Sequence, residues 1–90
     1  MFVVIHHQVT DPATFWSIIS EEIEHPPTGI ELLLSLPNRH ATVEFSLWNA
    51  ESLESLQQWI EENVRHVSRN TFYPIEAANA FGLEFASGPH

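Results

Sequence analysis

Apolar positions along this chain change period several times, and each change marks an element. Phe2 to Val9 is a mostly apolar, β-branched run that predicts a strand, with His6 and His7 pointing to opposite faces. Asp11-Pro12 ends the strand and opens a helix, since Asp11 is a good N-cap and Pro12 suits the first helical position. Phe15, Ile19 and Ile23 then recur every four residues with Trp16 beside them, while Glu21, Glu22 and Glu24 lie mostly off that face. His25-Pro26-Pro27 stops the helix, because proline cannot continue it and disfavours the helical region in the residue before it.

Ile30 to Leu36 predicts a second strand, Pro37-Asn38-Arg39 a turn, and His40 to Trp48 a third strand. The third strand alternates, with Ala41, Val43, Phe45 and Leu47 on one face and Thr42, Glu44, Ser46 and Trp48 on the other. Ser52 caps a second helix, Glu54 sits in its first turn, and Leu53, Leu56, Ile60, Val64 and Val67 form its apolar stripe. Arg69 to Ile75 predicts a fourth strand. Phe81 to Phe85 is a candidate extra edge strand, and Ser87 to His90 are expected to fray.

The order is βαββαβ, an α+β ferredoxin-like pattern. Right-handed crossovers place both helices on one face of a four-stranded antiparallel sheet. The apolar strand faces are expected to meet the helices: Val3, Ile5 and Val9; Ile30, Leu32, Leu34 and Leu36; Ala41, Val43, Phe45 and Leu47. His7 falls on that side. The opposite face then holds Val4, His6, Gln8, Glu31, Leu33, Ser35, Thr42, Glu44, Ser46 and Trp48. It is too apolar to sit in water comfortably, so a second sheet is expected to cover it and make a homodimer with an enclosed cavity.

The 90 residues form one domain, with a core over about 2–76 and an extension over about 77–90. Twelve acidic residues against three arginines and no lysine give a net charge of -9, which argues against nucleic acid and against anionic membrane surfaces. Cysteine is absent, so thiol, disulfide and zinc-thiolate chemistry are excluded. No signal-peptide pattern and no membrane-length apolar run is present, and a cytoplasmic location is expected.

The βαββαβ order resembles the dimeric α/β-barrel superfamily. Within it, the Val-x-His-His opening, the Leu47-Trp48-Asn49-Ala50-Glu51-Ser52-Leu53-Glu54 junction and Ser68-Arg69-Asn70 before an aromatic pair look like a group of small uncharacterised bacterial domains. These are similar in layout to nickel-responsive ferredoxin-like proteins, which also open with paired histidines. The resemblance covers about residues 2–83 and implies the fold and a dimer. The superfamily's activities run from cofactor-free monooxygenases and isomerases to haem degradation, and no catalytic set of theirs maps here residue by residue.

Pairing strands one and three end to end places Phe2 opposite Trp48, Val4 opposite Ser46, His6 opposite Glu44 and Gln8 opposite Thr42. Directly opposed side chains stand roughly 5 Å apart at Cβ, so His6 and Glu44 are the expected pair on the cavity face. A one-residue slip would contradict both apolar patterns. The pair fits three uses: a polar contact inside a dimer, an acid–base couple, or two ligands of a divalent metal such as nickel or zinc, with Glu31 or a partner histidine completing the shell. Trp48, Glu31, Ser46 and Asn70 are the candidate ligand-binding residues.

Three functions follow. The first is a dimeric module that binds a small molecule or divalent metal in the inter-sheet cavity. The second is a cofactor-free monooxygenase or isomerase with His6 as acid/base and Glu44 orienting it. The third is a purely structural or assembly dimer. His25, His40, His66 and His90 are scattered, with no metal-motif spacing, and read as solvated or helix-end groups.

Overall fold

The computed structural model of the protein describes residues 1–79. The elements are β1 (Phe2–Val9), α1 (Pro12–Glu24), β2 (Ile30–Pro37), β3 (Val43–Ala50), α2 (Leu53–Val64) and β4 (Ser68–Ile75), followed by a 3-10 turn at Ala77–Asn79. The strands pair antiparallel in the order β2-β3-β1-β4, and both helices pack on one face. This is the expected ferredoxin-like βαββαβ arrangement. The candidate edge strand at Phe81–Phe85 lies outside the described residues.

Local chemistry sets the element ends as anticipated. The Asp11 carboxylate accepts from the Thr14 N–H at 3.3 Å, with Pro12 next in the first turn. Ser52 Oγ accepts from the Ser55 N–H at 3.1 Å, and Glu54 follows in the first turn of α2. Gly29, at φ 88°, turns the chain into β2, and the Glu51 side chain packs where any Cβ on it would stand.

The core lies between sheet and helices. Val3, Ile5 and Val9 meet Phe15 and Ile19 of α1 and Leu56, Ile60 and Val64 of α2. Trp48 is buried among them, its ring edge-on to Trp59 with centroids 5.5 Å apart.

Three sequence-based expectations are corrected. β3 begins at Val43, not His40. Asn38 organises the preceding loop: its Oδ1 accepts from the backbone of Thr42 at 2.9 Å and of Val43 at 3.1 Å. The register against β1 differs by one residue from the end-to-end match, with Val3 opposite Trp48, His6 opposite Phe45 and His7 opposite Glu44. A one-residue shift exchanges the faces of β3. Glu44, Ser46, Trp48 and Ala50 are therefore buried beneath the helices, and Phe45 is 46% exposed on the open face.

The third correction concerns β2. A bulge between Leu32 and Leu34 breaks its pairing with β3. Ile30 and Leu32 face the helices, but the extra residue reverses the parity beyond it. Leu34 and Leu36 then lie on the open face opposite Leu47 and Phe45, while Ser35 comes level with Ser46.

Truncation of Phe15, which has no exposed surface, should cost roughly 3–5 kcal/mol as Phe15→Ala. Asp11→Ala, which loses one cap bond, should cost about 1 kcal/mol. Urea unfolding followed by tryptophan fluorescence checks both values and their order.

Candidate functional site

The structure separates the expected His6–Glu44 pair. His6 stands half-buried on the open face and stacks on Phe45, with ring centroids 4.9 Å apart and an 18° interplanar angle. Glu44 is buried on the helix side. The two cannot act together on one substrate atom or ligate one metal ion, because the sheet lies between them. Trp48 and Ser46 also move from the expected cavity face to the helix side, whereas Glu31 remains exposed on the open face.

The chemistry gathers instead around His7, which has no exposed surface. Its Nδ1 is 2.7 Å from Asn70 Oδ1, and its Nε2 is 3.0 Å from Ser46 Oγ. Asn70 Nδ2 donates to Glu61 Oε1 at 3.0 Å, which fixes the amide so that its oxygen faces His7. His7 must then carry its proton on Nδ1 and accept from the Ser46 hydroxyl at Nε2. Ser46 Oγ in turn accepts from the Trp48 indole N–H at 2.7 Å. Ser68 Oγ lies 2.9 Å from Asn70 Oδ1 and 3.0 Å from the Val64 carbonyl oxygen, and its single proton can be donated to either acceptor. A continuous line therefore runs from Trp48 through Ser46, His7 and Asn70 to Glu61 on α2.

Glu44 lies beside this line. Its Oε1 is 3.7 Å from His7 Nε2, too far for a hydrogen bond, and its buried Oε2 has no hydrogen-bond partner among the described residues. Desolvation pushes the Glu44 pKa up to about 7, with a hydrogen bond from Ser35 working the other way. Desolvation likewise pushes the His7 pKa down to about 4, against the bond to Asn70, with the His6 charge as a smaller lowering influence. The proximity alone would suggest an ion pair. Both shifts favour the neutral forms, so between about pH 4 and about pH 7 the contact is neutral imidazole beside a protonated carboxyl rather than an ion pair.

Ser46, His7 and Asn70 stand in the order of nucleophile, base and orienting amide found in acyl-transfer sites. However, Ser46 is 2% exposed and its oxygen already accepts from Trp48, so no substrate carbonyl can approach it. The line is a buried tie between strands and helix. Among the described residues, no three His, Cys, Asp or Glu side chains converge to hold a metal ion. Comparisons with protein-family models, with curated proteins and with solved structures find no match.

The open face is the accessible feature. Val4, Leu34, Leu36, Phe45, Ser46, Leu47 and Ile75 line a groove of about 250 Å³ that no described element covers. His6 and Thr71 flank it on the β1–β4 side.

Reasoning from sequence missed His7 as the centre of the polar cluster. Asn70 was singled out, but as a ligand-binding residue. The available signal was Ser68-x-Asn70, two short polar side chains on one face of a strand beneath an otherwise apolar helix stripe.

The pH dependence follows from the two shifts. The folded His7 pKa is depressed, so stability is lost as pH falls from 6.5 to about 4, where the unfolded chain binds the extra proton. The folded Glu44 pKa is raised, so stability is lost as pH rises from 4.5 to about 7. Between 4.5 and 6.5 the slopes cancel: the neutral folded pair and the unfolded ion pair hold the same number of protons. Glu44→Gln should expose the His7 slope, losing roughly 3 kcal/mol on acidification relative to wild type. His7→Gln should expose the opposite slope, with stability falling toward neutral pH. Urea denaturation across pH 4–7 checks the signs.

Proposed function

We propose that the protein is a homodimeric binding module: two copies pack open sheet face to open sheet face, and the space between them receives a small, mainly apolar molecule. The observation that carries this reading is the second apolar face of the sheet. Leu36 is 55% exposed, Phe45 46% and Tyr73 51%, with the groove between β1, β2 and β3 beside them. Contiguous exposed apolar surface of this kind marks interaction sites on soluble proteins, which supports the reading. A face of four strands of eight residues measures roughly 500 Å² before side-chain relief is counted, comparable with the ~800 Å² per partner of stable dimers.

His6 supplies the titratable group of that space. As a general base in a cofactor-free oxygenase or isomerase it would act without Glu44, so the binding reading has the stronger support. A nickel- or zinc-binding variant would need His6 from both copies and further ligands, and the apolar surroundings of the groove do not favour it.

Sedimentation equilibrium at micromolar concentrations should give a dimer, and an apolar fluorophore such as anilinonaphthalene sulfonate should bind to it saturably. Phe45→Glu, on the exposed face, should give a folded monomer that has lost most of that binding. A wild-type monomer overturns the reading. A dimer that takes up no apolar probe favours an assembly dimer instead.

A further inference from the structure

The open face carries its own instructions for how a second copy should lie on it. Its side chains form a grid of four rows. Ile75, Phe2, Asn49 and Glu31 make the first row, and Tyr73, Val4, Leu47 and Leu34 the second. Thr71, His6, Phe45 and Leu36 make the third, and Arg69, Gln8 and Val43 the last. The centre is apolar. Glu31 and Arg69 occupy opposite corners, one on edge strand β2 and the other on edge strand β4. Both are exposed, and neither is in an ion pair among the described residues. Arg69 is one of three arginines in a chain of net charge -9.

We infer that two copies cross so that Arg69 of each meets the partner's Glu31. This rests on the face-to-face dimer proposed above and adds its orientation. The geometry is self-complementary. A two-fold axis lying between the sheets, perpendicular to the Arg69–Glu31 diagonal, exchanges the two corners and forms both ion pairs at once. With strands about 4.8 Å apart and same-face rows about 6.7 Å apart, that axis crosses the strands of the two copies at about 70°. This lies near the orthogonal class of sheet packing. The axis passes close to Val4 and Phe45, so each meets its own counterpart, and His6 lies over the partner's Leu47. The apolar centre is then buried twice over, with the charges at the rim, where they set orientation and salt dependence more than raw affinity.

Charge exchange tests the crossing. By sedimentation at low salt, Arg69→Glu should weaken the dimer at least about tenfold, because a carboxylate then faces the partner's Glu31 in both pairs. Glu31→Arg should weaken it similarly. The variant carrying both changes should recover most of the wild-type affinity, with circular dichroism confirming the fold of all three. The crossing is overturned if the single variants dimerise as tightly as wild type, or if the double variant is no better than the singles; the dimer reading survives either result. A wild-type monomer would instead sink the dimer itself.

Discussion

The hydrogen-bond line through His7 is the constraint on which the rest of this sheet depends. His7 lies on the central strand β1, Ser46 on β3 and Asn70 on β4, so one imidazole ties three strands together beneath the helices. A buried imidazole without partners costs on the order of 1–3 kcal/mol for each orphaned nitrogen. Slipping β3 by one residue would move Ser46 to the other face and put Phe45 or Leu47 against the ring. It would also take Trp48 out of the core, where it packs edge-on to Trp59 and its indole N–H is satisfied by the same serine. Polar satisfaction and aromatic packing thus choose the same register.

That register determines what the outside of the molecule offers. With Glu44, Ser46 and Trp48 turned inward, Phe45 and Leu47 turn outward, and the bulge in β2 sends Leu34 and Leu36 to the same side. The polar residues of the strand are spent on the interior, and the apolar ones are left on the face that no helix covers. The buried polar network and the exposed apolar groove are two results of one choice of parity. Glu44 shows its cost: a carboxyl driven toward its neutral form by burial, with one oxygen lacking a hydrogen-bond partner among the described residues.

Much of the fold was legible in the residues. Asp11-Pro12, His25-Pro26, Gly29 and Ser52 mark element ends through strong local chemistry, and the four-residue spacings of Phe15 and Ile19 and of Leu56, Ile60 and Val64 have one helical interpretation. The face assignment of β3 was not legible in this way. Its alternation of Val43, Phe45 and Leu47 with Glu44, Ser46 and Trp48 is real, but alternation identifies two faces without saying which is inside. Counting hydrophobic side chains chose wrongly, because both faces of this sheet are partly apolar. The candidate pair shifted with it, from His6 beside Glu44 to His7 beside Glu44.

By itself the sequence determined the element order, the helix caps and the faces of α1, α2 and β1, because these depend on contacts a few residues apart. Only the tertiary structure decided which side of β3 meets the helices, where β2 changes face and which histidine stands beside Glu44. Those outcomes depend on partners far along the chain: Ser46 lies 39 residues from His7, and Asn70 lies 63. Backbone pairing permits either parity, and the choice falls to whichever buries the larger aromatic while leaving the fewest polar atoms unpaired.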